Sequence, residues 1–150
     1  MKTLENVNLS GCSKLCKLLE NLGTVESVEN VDVSGTATRL LPYSNAPFQN
    51  LKKLVFSGFK ARSPDPMSLL STSLSGLCSL TNLDLSYCNL KKIPSDVGCL
   101  FSLEKLNLSG NNFGCLPESI AQLSFLIVLY VKNCEILRLL PKLPLNICTI

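Results

Sequence analysis

Apolar residues recur along the chain in a fixed frame, L-x-x-L-x-L, with Val or Phe standing in for Leu at some places. The frame is filled by Leu4-Val7-Leu9, Val28-Val31-Val33, Leu51-Leu54-Phe56, Leu80-Leu83-Leu85, Leu103-Leu106-Leu108 and Leu126-Leu129-Val131. Their first members lie 24, 23, 29, 23 and 23 residues apart. The last two members of each frame are two positions apart, so in an extended backbone both point to one face. The pattern therefore predicts six short strands. Three residues beyond each comes Cys12, Thr36, Phe59, Cys88, Asn111 or Cys134. All but Phe59 are small polar or thiol residues, suited to hydrogen-bonding backbone groups of a tight turn that would otherwise lie buried and unpaired. A Leu-Pro or Ile-Pro step then opens four return segments, at Leu41-Pro42, Ile93-Pro94, Leu116-Pro117 and Leu140-Pro141. Proline presets φ as the chain turns back. Residues 117–123 suit a short helix with Ile120 and Leu123 facing inward, and residues 94–100 read the same way.

One such unit cannot bury its own apolar face. Stacking neighbours buries a continuous core, which predicts an α/β solenoid. Its curved parallel sheet would line the concave face, with short helices or 3-10 turns and loops on the convex face. A conventional α/β domain would want helical patterns of about 10–15 residues between strands, and the return segments are too short. Units starting near residues 4, 28, 51, 80, 103 and 126 make residues 1–150 a single domain of about six repeats. The third unit is longer than its neighbours, and its excess, Lys60 to Met67 with Pro64 and Pro66, predicts a protruding loop insertion at about 60–75. That loop is either a tolerated surface insertion or a binding loop. The chain starts inside a repeat, and at residues 144–150 another unit begins, so both ends read as cut from a larger repeat domain or a truncated gene.

Composition narrows the chemistry. Apolar residues make up 46% and charged residues 17%, too apolar for a disordered chain. A net charge of +3 without a sustained basic run gives no electrostatic footprint for nucleic acid. The longest apolar stretch, Leu123 to Val131, is far short of the roughly 20 residues of a membrane span. No secretory signal is readable at the N-terminus. With no His, Ser-His-Asp and Cys-His catalysis and imidazole-bound zinc are excluded. The eight cysteines form no C-x-x-C pair, and in a reducing compartment they read as free, buried structural thiols. Ser57 to Lys60 and Ser102 to Lys105 match S-x-x-K, but without its partner motifs the pattern is weak. Asp32 and Asp84 fall at equivalent positions two units apart, with Val55 between them, and read as solvated carboxylates. The chain is expected to be no enzyme and to hold neither cofactor nor metal.

A binding surface is the better reading. Residues between and flanking the strand leucines project onto the concave face. One column reads Asn6, Asn30, Lys53, Asn82, Lys105, Val128, and the next reads Asn8, Asp32, Val55, Asp84, Asn107, Tyr130. The surface passes from amide and acidic to basic at Lys52-Lys53, then to apolar and aromatic at Ile127, Val128 and Tyr130. Aromatic and apolar surface beside charge suits protein recognition. On this reading Asp84 and Tyr130 belong to binding and not to folding. Asn8-Leu9-Ser10 and Asn107-Leu108-Ser109 match the glycosylation sequon, but they lie within the strand frame and read as coincidence.

The repeats resemble those of plant intracellular disease-resistance proteins, narrowly the C-terminal leucine-rich repeats of the class with Toll/interleukin-receptor and nucleotide-binding domains upstream. The resemblance is carried by Leu9-Ser10-Gly11-Cys12-Ser13-Lys14-Leu15, Val33-Ser34-Gly35-Thr36-Ala37, Leu108-Ser109-Gly110-Asn111-Asn112-Phe113, Leu116-Pro117-Glu118-Ser119-Ile120 and Leu137 to Pro144. It covers essentially the whole chain. It implies a leucine-rich-repeat solenoid acting in plant innate immunity, in the cytoplasm or the nucleus. The expected partner is a pathogen effector, a host protein or another receptor domain, and the module would help to hold its receptor inactive. No G-x-x-x-x-G-K-[ST] is present, so nothing done through the nucleotide switch or the Toll-like domain carries over. Secreted plant repeats place six residues between Asn and the Ile of Ile-Pro, whereas Leu116 follows Asn111 by five. Two other readings stay open: a general intracellular leucine-rich-repeat scaffold, and a secreted repeat inhibitor of a microbial enzyme.

Overall fold

Each L-x-x-L-x-L frame carries one three-residue strand. The computed structural model describes residues 3–15, 26–37, 48–58 and 74–150. Its strands are β1 (Asn6–Asn8), β2 (Asn30–Asp32), β3 (Lys53–Val55), β4 (Asn82–Asp84), β5 (Lys105–Asn107) and β6 (Val128–Tyr130). They form one parallel sheet in chain order. The register is strict, with Val7, Val31, Leu54, Leu83, Leu106 and Leu129 aligned across all five pairings. From β2 onward these middle residues are buried, because alternation sends them inward while their neighbours face out. Pairing continues past the strand ends, as in Leu85 N donating to Asn107 O at 2.9 Å.

The return segments are 3-10 helices at Leu74–Gly76, Ser95–Cys99 and Glu118–Gln122. Pro94 and Pro117 lead into the last two with extended backbone, φ −68° and −69°. Ile120 and Leu123 are fully buried, as their spacing predicts. The result is a parallel-sheet solenoid, strands on one side and 3-10 helices on the other.

The turn after each strand repeats one unusual conformation. Gly11, Gly35, Gly58, Tyr87, Gly110 and Asn133 all have φ between 55° and 79°. A Cβ disfavours this region, so glycine leads the set and Tyr87 is its outlier. The next residue holds the turn together. Asn111 is fully buried. Its Oδ1 accepts from Cys88 N at 3.1 Å and Leu90 N at 3.0 Å. Its Nδ2 donates to Leu85 O at 2.9 Å and Leu108 O at 2.8 Å. Thr36 Oγ1 donates to Val33 O at 2.8 Å, Cys88 Sγ to Phe56 O at 3.1 Å and Cys134 Sγ to Leu108 O at 3.3 Å. Adjacent turns are thereby stitched by side chains where the sheet ends.

Two expectations need correction, one is matched in part and one lies out of view. Cys88 is buried and Cys134 half-buried, but Cys12, Cys78, Cys115 and Cys148 are exposed. The thiols are therefore not uniformly core residues: Cys88 and Cys134 are covered at the turn position between stacked units, Cys99 is half-buried in its 3-10 helix, and Cys12 sits in the outermost of these turns. Leu4 is 48% exposed, because β1 is the first rung and has a described neighbour on one side only. A seventh rung is present in part. Thr149 bridges Val128, and Ile147 N donates to Pro144 O as Leu126 N does to Leu123 O. Finally, Leu41-Pro42, Phe59 and most of the 60–75 insertion lie outside the described residues, which resume at Leu74 in the first 3-10 helix.

Candidate recognition face

Strand alternation places all twelve residues expected to bind a partner on one face of the sheet. Register aligns Asn6, Asn30, Lys53, Asn82, Lys105 and Val128 in one column. It aligns Asn8, Asp32, Val55, Asp84, Asn107 and Tyr130 in the other. Rungs are about 4.8 Å apart and the columns about 7 Å apart, two residues along a strand. The two columns enclose a shallow depression of about 330 Å³ across β2 to β6, lined by both lysines, Asp32, Asp84, Val55 and Tyr130. A smaller one of about 200 Å³ lies over β1 to β3. Thr149 adds a seventh position beside Val128.

The side chains do not all face outward for the same purpose. In four rungs the second-column residue folds back onto its own turn. Asp84 Oδ1 accepts from Ser86 N at 2.9 Å and Ser86 Oγ at 2.6 Å. Asp32 does the same with Ser34, at 2.9 and 2.6 Å. Asn8 does so with Ser10, at 3.0 and 2.8 Å, and Asn107 Oδ1 accepts from Ser109 N at 3.1 Å. These are Asx turns, in which a side-chain oxygen takes the place of a backbone carbonyl. Asn107 Nδ2 also donates to Asp84 Oδ2 at 3.2 Å, tying neighbouring rungs. The assignment of Asp84 to binding alone is therefore wrong: its carboxylate helps to form the fold. The same geometry explains why Asn-x-Ser falls twice within the strand frame. A signal was present, since Asx-x-Ser recurs in four of the six units.

The first column is different. Asn30 Nδ2 donates to Asn6 Oδ1 at 2.7 Å, an amide ladder at the first two rungs. Lys53 and Lys105 are exposed, and among the described residues neither ammonium makes a hydrogen bond or ion pair. Lys52, one residue earlier, is engaged with Glu29 at 2.9 Å. At the last full rung Tyr130 is exposed, with the Lys132 ammonium 5.7 Å from its ring centroid. Among the described residues no group of three or more His, Cys, Asp or Glu is placed to hold a metal ion. No helix among them is long and apolar enough to cross a membrane.

Residues 79–100 and 102–123 each match the Leucine Rich Repeat family. The chain is 42% identical over 147 residues to TMV resistance protein N of Nicotiana glutinosa, covering 96% of this chain and 12% of that protein. The repeats are homologous to those of plant disease-resistance proteins. It is similarly 37% identical over 147 residues to the disease resistance-like protein DSC1 of Arabidopsis thaliana, across 98% of this chain and 12% of that one. The disease-resistance repeats described here thus span about an eighth of the length of these relatives. Among solved structures, the functional domain of InlJ from Listeria monocytogenes superposes with a TM-score of 0.68 at 18% identity. It covers 91% of this chain and 26% of that one, a likeness of fold alone. A repeat module of this kind points to recognition rather than to catalysis. At Ser102-Leu103-Glu104-Lys105, the S-x-x-K match that lies within the described residues, Leu103 is a fully buried core residue of the disease-resistance repeat.

Proposed function

We propose that the chain is a non-catalytic protein-recognition module of plant innate immunity, whose sheet face binds a pathogen effector or a host partner and helps to keep its receptor inactive. The observation that supports this most is the two-column face itself, where ammonium, amide and aromatic groups stand on a rigid parallel sheet without serving the core. Preorganised groups on a rigid scaffold lose little entropy when they bind. Autoinhibition follows by linkage: a partner that prefers one receptor state shifts the equilibrium toward it. The module works in the cytoplasm or nucleus as one part of a longer chain.

The test uses the receptor containing these repeats, expressed in leaves, with Lys53→Ala, Val128→Ala and Tyr130→Ala changed together. Triggered cell death should be lost, or cell death should start without a trigger, while protein abundance is unchanged. Normal triggered and basal responses from that variant would remove the sheet face from recognition.

A further inference from the structure

Resting on that reading, we infer that the partner segment is acidic and extended, with two carboxylates about 10 Å apart that meet Lys53 and Lys105. Within the two columns, four rungs hold an Asp or Asn whose oxygen is spent on its own turn. Asp32 and Asp84 keep their charge, but they are half-buried and their Oδ1 atoms are held by their own turns, whereas the two lysines stand exposed. What remains free is the pair of exposed ammonium groups at β3 and β5, on either side of Asn82. Lys132, over the Tyr130 ring, adds a third positive charge at the next rung.

Spacing sets the form of the ligand. Lys53 and Lys105 are two inter-strand steps apart, about 10 Å. A segment in the polyproline II form rises about 3.1 Å per residue with three residues per turn, so carboxylates at positions i and i+3 share one face about 9 Å apart and match that distance when the segment runs across the strands. Continuing in the same direction, the segment passes Val128 and Tyr130, which accept an apolar or aromatic side chain. Val55, beside Lys53 in the depression, offers an apolar floor at the other end. A phosphodiester backbone is a poorer match, because its charges are more closely spaced and the ammonium groups form a pair and not a tract.

The experiment is a selection of random dodecapeptides displayed on phage against the 150-residue chain, followed by fluorescence anisotropy of enriched peptides. Enriched sequences should carry Asp or Glu at i and i+3 with an apolar residue beyond. Lys53→Gln with Lys105→Gln should weaken them about tenfold, the scale expected for two exposed ion pairs. Added salt should have a similar effect. Glu104→Gln, on the entry side of β5 and outside both columns, should leave binding unchanged or tighten it. Circular dichroism checks that each variant is folded. Peptides lost on Val128→Ala with Tyr130→Ala but indifferent to the lysine changes would overturn the acidic partner and leave the face as a binding site. Peptides indifferent to both pairs of changes, or no enrichment, would overturn both. Tighter binding of a single-stranded oligonucleotide than of any acidic peptide, abolished by the lysine changes, would overturn the peptide assignment.

Discussion

The ring of Tyr87 lies across Gly110: a Cβ added at Gly110 would run into its ring carbons. The Tyr87 hydroxyl reaches one rung further, accepting a hydrogen bond from Asn133 Nδ2 at 3.1 Å. These three residues occupy the same left-handed turn position in successive units, with φ 55°, 68° and 56°. An aromatic residue at positive φ is strained, and here the next two turns hold it. Gly110→Ala should therefore destabilise twice over, through its own left-handed backbone and through the displaced ring, by about 2–3 kcal/mol. In a Tyr87→Gly background the same change should cost only about 1 kcal/mol. Urea denaturation of the four proteins measures the difference, and equal losses in both backgrounds would show that the ring does not constrain Gly110.

Asp84 serves its turn, so removing the carboxylate should be felt in folding. Asp84→Ala leaves Ser86 N without its acceptor, while Ser86 Oγ keeps Ser57 Oγ at 3.1 Å, and should lower stability by about 1 kcal/mol. Asp84→Asn should be close to neutral, because Asn107 makes the equivalent turn. Thermal unfolding separates the cases, and an Ala variant as stable as the parent would remove the Asx turn as a stabilising element.

Asn111 joins two turns through four backbone groups at 2.8–3.1 Å. Leucine has a similar branched outline, though it is larger, and makes none of these bonds. Asn111→Leu should cost about 3 kcal/mol or more, since buried donors and acceptors are left unpaired. Hydrogen exchange should show the Cys88 and Leu90 amides losing protection first. Unchanged protection there would mean that water or a shifted backbone replaces the side chain.

Neighbouring positions on one strand should answer oppositely. Leu106 is fully buried, and Leu106→Ala should cost about 2–5 kcal/mol through an unfilled core site. Lys105 beside it is exposed, and Lys105→Ala should stay within about 0.5 kcal/mol. Comparable denaturation midpoints for the two variants would contradict the register of β5.

On the convex side, Gly98 allows consecutive 3-10 helices to approach. A Cβ there would come within 2.6 Å of Ser119 Cβ and 2.9 Å of Ser119 O. The second of these is backbone and cannot rotate away. Gly98→Ala should cost about 1–3 kcal/mol by forcing the rungs apart, measurable as a lowered melting temperature. An unchanged melt would show that the rungs separate freely there.

Much of the fold is legible from the chain because its determinants are local and repeated. Leu54, Leu83 and Leu106 fall at one place in the frame, and stacking identical frames leaves one register that buries all three. The concave columns follow from the same alternation, which places Lys53, Lys105 and Tyr130 on one face. The seventh rung was harder to read: Ile147 follows Leu126 by 21 residues instead of 23, and its frame holds only Ile147 and Ile150. Burial of the cysteines is not legible in the chain, because residue type does not say whether a turn is sandwiched between two others, as that of Cys88 is and that of Cys12 is not.

The sequence by itself determined the period, the strands, their order and the residues that share a face, since each depends only on spacing along the chain. Tertiary structure decided which of those side chains are engaged within the fold. Asp84 and Lys105 stand on the same face, yet one carboxylate is held by Ser86 and Asn107 while the ammonium has no such partner. Tyr87 and Asn133 meet across 46 residues of sequence. Such pairings depend on where side chains converge once the rungs are stacked, and hydrogen bonds of a few tenths of an ångström tolerance are not written into a repeat's period.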